Sequence, residues 1–114
     1  MQIAKYSFGK MIIDGQVYTK DLKIVRGEVV SSWFRASGHR VSLGDIRDIL
    51  QAAPEAVVFG QGKPGMMKVL PEVREKFASE GILMEEMPTA KAVNRVNGLL
   101  AKGVDVAAGF HLTC

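Results

Sequence analysis

The chain has 114 residues, of which 47% are apolar and 24% charged, and a formal net charge of +3. This length and this balance are typical of one globular domain with a single core, and they exclude a chain that is disordered throughout. No apolar run approaches the 18 or more residues that a membrane-spanning helix requires, so we expect no membrane insertion.

Two β-hairpins are predicted in the first third of the chain. Asp14-Gly15 lies between two short apolar runs, and this dipeptide suits the positive φ angles of a tight hairpin turn. Arg26-Gly27 separates a segment of alternating polarity from one rich in β-branched and aromatic residues. The predicted strands are residues 11–13, 17–18, 22–25 and 29–34.

A helix is predicted over residues 43–52. Ser42 is followed three residues later by Asp45, which resembles a capping box, and Pro54 stops the helix. Beyond it the pattern changes to short apolar strands that alternate with helices. The first such strand is residues 56–59, and the helix after it begins near Pro71 and ends at Gly81.

The last third continues this alternation. Residues 82–85 are a predicted strand, Thr89 is a predicted N-cap, and Gly103 closes the helix in the left-handed region. Residues 104–108 form the last strand, whose continuation through Leu112 the sequence leaves open. Strand–helix–strand units favour parallel neighbours. The sequence therefore predicts an α/β fold, with a mixed, partly parallel sheet and an N-terminal β-hairpin region, in a single domain spanning 1–114.

Gly60, Gly62 and Gly65 form a G-x-G-x-x-G pattern after a buried strand, but the context differs from that of a dinucleotide-binding site. In that fingerprint the glycines open a helix whose N-terminus binds the pyrophosphate, whereas Pro64 and five further residues precede the next helix here. The spacing of a P-loop is also absent. The simplest interpretation is a loop that needs unusual backbone angles.

A small cationic pocket is the functional alternative. Ligands of open α/β sheets bind beyond the carboxyl ends of parallel strands, and three segments of this chain leave such ends. If their strands are neighbours, Lys63, the amides at the start of the last helix and His111 converge on an anion or on an acidic group of a partner. The candidate ligand-binding residues are Gly60, Gln61, Gly62, Lys63, Thr89 and His111.

Catalytic and metal-binding constellations are not recognisable. His111 and Cys114 would point to opposite faces of a strand, and Cys114, the single cysteine, permits neither an intrachain disulfide nor a cysteine-based zinc cluster. We therefore expect no enzyme, no cofactor and no metal. With no secretory signal at the N-terminus, the expected location is a reducing, cytoplasmic one.

The charge pattern argues against nucleic acid as a partner. Residues 1–50 carry eight basic and five acidic side chains and therefore hold all the excess charge, but the acids lie between the bases. Binding to a phosphate backbone depends on clustered cations. We expect no specific binding to DNA or RNA. A protein partner is expected instead, and homo-oligomerisation is left open.

The C-terminal residues 88–114 resemble the ending of a small α/β family. Pro88-Thr89, Leu99-Leu100, Gly103 and His111 fall at the spacing of that family, as do Val106-Ala107-Ala108. Gly15, Trp33, Pro54-Glu55, Gly60-x-Gly62 and Gly81-Ile82 extend the resemblance over essentially the whole chain. The family includes adipogenesis-associated cytosolic proteins of animals, named for an archaeal type member, the mitochondrial complex I assembly factor numbered three, and uncharacterised bacterial proteins.

This resemblance implies a three-layer domain around a mixed sheet and implies no catalytic residue, ligand or cofactor. Its mitochondrial members imply a role in respiratory complex assembly. The leading hypothesis is therefore a non-catalytic binding or assembly-assisting protein. The alternative is a small-molecule or anion-binding protein, or an unrecognised enzyme, with a pocket at the carboxyl ends of the strands.

Overall fold

The computed structural model describes residues 1–114, which form ten strands and three α-helices. None of the helices has both the length and the apolar character needed to cross a bilayer. The strands are β1 (Ile3–Ser7), β2 (Lys10–Ile13), β3 (Gln16–Tyr18), β4 (Leu22–Val25), β5 (Glu28–Val30), β6 (Arg40–Val41), β7 (Ala56–Gly60), β8 (Lys68–Val69), β9 (Leu83–Met87) and β10 (Val106–Phe110). The helices are α1 (Arg47–Ala52), which a 3-10 helix (Leu43–Ile46) precedes, α2 (Pro71–Ser79) and α3 (Thr89–Ala101).

Both predicted hairpins are confirmed. Asp14 and Gly15 have φ angles of 48° and 81°, and Arg26 and Gly27 have φ angles of 52° and 74°. Two successive residues with positive φ give the turn whose twist matches that of antiparallel strands. The second hairpin is shorter than predicted, because its return strand ends at Val30 and the chain leaves the sheet before Trp33.

The central sheet has five strands in the order β5-β4-β10-β7-β9 and is mixed, as predicted. The strands β9, β7 and β10 are parallel neighbours, whereas β4 and β5 run antiparallel to β10. The carboxyl ends of three parallel strands therefore meet at one edge. Since β4 is antiparallel, its first residue lies at that same edge, where Leu22 pairs with Phe110.

Three layers pack around this sheet. Along β7, Ala56 and Val58 face one side and contact α3 and the small sheet β1-β2-β3, while Val57 and Phe59 face α1 and α2. The alternation follows from the two-residue period of a strand. Because both faces are covered, β7 and β10 are buried over their whole length, as the continuous apolar run in the sequence requires.

The predicted helical span 43–52 is confirmed, although its first four residues form a 3-10 helix. The Asp45 carboxylate in that 3-10 helix accepts a hydrogen bond from the Ser42 amide (2.8 Å). Two predicted strands have bounds that were wrong by one or two residues. The strand expected at 82–85 runs from Leu83 to Met87, and the last strand begins at Val106 and ends at Phe110. β1 and the two-residue parallel pair β6-β8 were not predicted.

Candidate functional site

The predicted site residues at the strand ends are brought together by a chain of hydrogen bonds. The Gly62 amide donates to Thr89 Oγ1 (2.8 Å), and the Thr89 hydroxyl donates to the carbonyl oxygen of His111 (2.7 Å). The His111 amide in turn donates to the Gly60 carbonyl (2.9 Å), and the Thr89 amide donates to the Gly62 carbonyl (3.2 Å). Thr89 thus connects the ends of β7 and β10 to the start of α3.

Thr89 is not the N-cap that the sequence predicted. Pro88 occupies that position, Thr89 is the first residue of α3, and no side chain caps the helix. The reason is that the hydroxyl of Thr89 faces Gly62 and His111 and is fully engaged there, with the residue completely buried. The Thr89 amide donates to the Gly62 carbonyl, so it is not one of the free amide donors that the sequence predicted at the start of this helix.

The glycines after β7 permit close approach of other backbone segments. A Cβ atom on Gly62, whose φ is 94°, would lie 2.2 Å from the Thr113 carbonyl oxygen, and one on Gly60 would lie 2.9 Å from Thr89 Oγ1. Both distances are too short for a side chain. The last residues of the chain therefore lie across the strand ends, in close contact with Gly62.

Lys63 and Gln61 lie at the periphery of this cluster. Lys63 is exposed, and its amide donates to the Thr113 carbonyl (2.8 Å). The Gln61 side chain donates to Glu86 Oε2 (3.3 Å), a carboxylate that also pairs with Arg74. Of the six predicted site residues, Lys63 is the one that presents a charged group to the surface.

Two further residues, which sequence reasoning missed, form a buried charged cluster with His111. Asp21 precedes β4 and therefore lies beside the end of β10, and Arg35 reaches it from the loop after β5. Asp21 Oδ2 accepts hydrogen bonds from His111 Nδ1 (2.7 Å) and Arg35 Nη2 (2.7 Å). Asp21 Oδ1 accepts one from the Leu112 amide (2.8 Å). This cluster holds the C-terminal segment against the sheet.

Asp21 is the electrostatic centre of the cluster. Burial alone raises the pKa of its carboxyl group, but the hydrogen bonds from His111, the Leu112 amide and Arg35 outweigh burial and lower the pKa. Asp21 is therefore ionised at neutral pH and can accept a hydrogen bond from His111 Nδ1. Burial, with a smaller contribution from the Asp21 charge, raises the pKa of the nearby Tyr6 hydroxyl.

Two nitrogen atoms of the cluster, Arg35 Nη1 and His111 Nε2, are buried and have no hydrogen-bond partner. The arrangement of an aspartate on Nδ1 with Nε2 unpaired is the one that orients a general base. A base also needs a substrate within reach, and His111 is only 6% exposed.

No group of three or more histidine, cysteine, aspartate or glutamate side chains lies close enough together to bind a metal ion.

A groove of about 330 Å³ lies beside the strand ends, on the side of the sheet that packs on α3. Its walls come from the turn between β1 and β2, the loop after β7 and the first turn of α3. Phe8 is 58% exposed there. The lining residues are Tyr6, Ser7, Phe8, Gly62, Lys63, Pro64, Pro88 and Ala90. Two of the predicted site residues, Gly62 and Lys63, are thus part of an open concave surface.

A comparison with protein families matches residues 3–111 to the model of a family described as "Protein of unknown function (DUF498/DUF598)". This match covers nearly the whole chain and confirms the resemblance to a small α/β family of uncharacterised proteins that the sequence indicated.

Solved structures of the same fold include three with high similarity. A protein named MT938 has a TM-score of 0.84 and 21% identity, and the match covers 99% of this chain and 98% of the other. The conserved hypothetical protein PH1505 of Pyrococcus horikoshii has a TM-score of 0.83 and 25% identity, with both chains covered completely. An outer membrane protein of Bartonella henselae has a TM-score of 0.84 and 21% identity, with 98% and 94% covered.

Proposed function

We propose that this chain, which belongs to the DUF498/DUF598 family of proteins of unknown function, is a non-catalytic, cytoplasmic protein-binding module. In this proposal the module assists the assembly of a larger protein complex. Respiratory complex assembly is the process to which the resemblance of the sequence points. The groove between Phe8, Lys63 and Pro88 is the observation that carries the proposal, and we assign it to a segment of the partner.

The hydrogen bonds at the strand ends favour a ligand in the groove over a small anion bound among the strand-end residues. The amides of Gly62, Lys63 and Thr89 and the hydroxyl of Thr89 all have partners inside the protein. A small anion would have to displace these hydrogen bonds, and each buried group left unpaired costs free energy. The groove needs no such displacement because it is open.

The chemistry of the groove indicates its occupant. Phe8, Pro64 and Pro88 supply apolar surface, and exposed apolar surface in a concave site marks binding sites. Lys63 is the one charged lining residue, and the first turn of α3 adds the partial positive charge of a helix N-terminus. We therefore expect a partner segment in which an apolar side chain is close to a carboxylate.

Affinity purification of the tagged protein from its native cells tests this proposal. We expect one protein complex to be recovered reproducibly with the wild type. With the Phe8→Ser/Lys63→Glu variant, recovery should fall by about tenfold, which corresponds to the loss of roughly one well-packed contact and one ion pair. Phe8 is more than half exposed, so this variant should retain the fold.

Leu83→Ser/Lys102→Glu is the matched control. Leu83 is 50% exposed at the opposite end of β9, and Lys102 follows the far end of α3, so one exposed apolar residue and one lysine are replaced by the same residues away from the groove. Equal recovery with the groove variant and the control would contradict the groove assignment. A monomer or dimer that carries a small molecule and no protein would instead support a small-molecule-binding protein.

A further inference from the structure

Phe34 lies in the loop between β5 and β6 and is 88% exposed, more than any other large apolar side chain of the chain. Its two neighbours in sequence, Trp33 and Arg35, are both buried. A single exposed apolar residue is ordinary on a protein surface. This one differs because the residues on either side of it are fixed to the core.

Trp33 anchors the loop on the N-terminal side of Phe34. Its amide donates to the Asp21 carbonyl (2.7 Å) and its indole Nε1 donates to the Asp45 carbonyl (2.9 Å). The indole ring packs so closely on Gly109 that a Cβ atom there would lie 2.8 Å from it. The ring also stacks on Phe59 of the core, with the centroids 6.4 Å apart.

Arg35 anchors the loop on the other side. Its guanidinium group lies over the Trp33 ring, with Cζ 4.6 Å from the ring centroid, and it pairs with Asp21. Arg35 Nε and Nη2 also donate to the Gly38 carbonyl (3.0 and 2.6 Å), so the side chain holds its own loop in place. Phe34 is thus presented on a rigid support, and little conformational entropy is lost when such an aromatic side chain is bound.

The backbone before Phe34 also departs from ordinary geometry. Ser32 has a φ angle of 57°, in the left-handed region that residues with a side chain seldom adopt. Such conformations persist where the surrounding structure enforces them, and they are concentrated at functional sites. Here the next residue, Trp33, is held by its amide hydrogen bond to the Asp21 carbonyl (2.7 Å), and Phe34 after it is exposed to solvent.

The loop that carries Phe34 has an excess of positive charge. Residues 31–40 contain no acid, and Arg40 at the end of the loop is exposed. Exposed Lys20 lines a small depression next to Ser31 and Ser32. The acids that support the loop are engaged internally, because Asp21 binds Arg35 and His111 and the Asp45 carboxylate accepts hydrogen bonds from the Ala36 and Ser42 amides.

From these observations we propose that residues 31–40, with Lys20, form a second docking surface, the Phe34 surface, which inserts Phe34 into an apolar pocket of a protein partner whose rim is acidic. Aromatic side chains that enter a pocket of the partner can contribute much of the binding free energy of an interface, and charges at its rim steer association and specify the partner. A second copy of the chain is disfavoured as the occupant because its own Phe34 surface carries the same positive charge. A nucleic acid is disfavoured because Phe34 is a single exposed ring rather than a stacking platform of several.

Site-specific photocrosslinking in the native cell tests the Phe34 surface. The photoreactive amino acid p-benzoyl-phenylalanine replaces Phe34 in one sample and Leu83, at the opposite end of the sheet, in a control. We expect position 34 to crosslink to one protein, at a peptide flanked by aspartate or glutamate, and position 83 not to crosslink to it. Lys20→Glu/Arg40→Glu should reduce the yield by about tenfold, and Lys102→Glu should leave it unchanged.

Four results would overturn the inference: no crosslink at position 34, a crosslink to a second copy of the chain, a crosslink to nucleic acid, or a yield that the charge reversals do not change. Phe34 does not line the groove proposed above. If the groove variant still recovers its complex, the groove assignment fails. If Phe34 does not crosslink, the Phe34 surface fails. Either surface can therefore be refuted without the other.

Discussion

Asp21→Asn is expected to lower the free energy of unfolding by about 3 kcal/mol, the lower end of the range for breaking a buried ion pair. Arg35 is almost fully buried, with a side-chain exposure of 4%, and would keep its positive charge without a counterion. The Asp21 side chain retains 17% exposure, which places the loss at the lower end. Urea unfolding followed by the fluorescence of Trp33, the single tryptophan, measures it.

Asp14→Asn is the control for this substitution. It makes the same Asp-to-Asn change at an exposed hairpin turn, where the Asp14 carboxylate accepts one hydrogen bond from the Gln2 amide. Asparagine suits the positive φ of that turn, so the change in stability should stay within about 0.5 kcal/mol. Similar losses from both variants would mean that Asp21 contributes no more than a surface aspartate.

Acid should destabilise the wild type more steeply than the Asp21→Asn variant. The pKa of Asp21 is lower in the folded protein than its ordinary value of 3.8. A carboxyl group with a lowered folded pKa stabilises the fold above its unfolded pKa, and this contribution is lost as the pH falls through the folded pKa. The difference between the two proteins should be constant near neutral pH and shrink below about pH 4. Parallel profiles down to acid pH would contradict the role of Asp21.

Local backbone chemistry explains which parts of the fold the sequence could predict. Asp14-Gly15 and Arg26-Gly27 identify hairpins because few residues adopt positive φ, and Gly103, with φ of 75°, ends α3 for the same reason. β6 and β8 could not be predicted because each has only two residues and pairs with a segment 28 positions away, as Arg40 with Lys68. β1 is mostly exposed and its register with β2 shifts, so it lacks a regular alternation.

The candidate site shows the same division. Gly60, Thr89 and His111 converge because the carboxyl ends of neighbouring parallel strands meet at one edge of a sheet, which follows from the predicted topology. Asp21 and Arg35 could not be found in this way, since they lie 90 and 76 residues from His111 and neither belongs to a strand–helix–strand unit. The clearest available signal was Arg35 within an otherwise uncharged segment that also contains Trp33.

Thr89 is the residue at which the sequence-based interpretation and the structure give different quantitative expectations. A helix N-cap would make Thr89→Ala cost on the order of 1 kcal/mol. In the structure the hydroxyl instead joins two backbone groups, the Gly62 amide and the His111 carbonyl, in a buried position. Removing the hydroxyl leaves both groups unpaired, and each such group costs about 1–3 kcal/mol.

We therefore expect Thr89→Val to lower the free energy of unfolding by about 2–4 kcal/mol, since valine keeps the volume of threonine and removes only the hydrogen bonds. Thr89→Ser is the control, because it keeps the hydroxyl and loses one methyl group, at a cost of about 1 kcal/mol. Urea unfolding of the three proteins measures both changes. If serine were as damaging as valine, the methyl group and not the hydroxyl would hold the strand ends together. If valine cost no more than about 1 kcal/mol, Thr89 would not connect β7, β10 and α3 as the hydrogen bonds indicate.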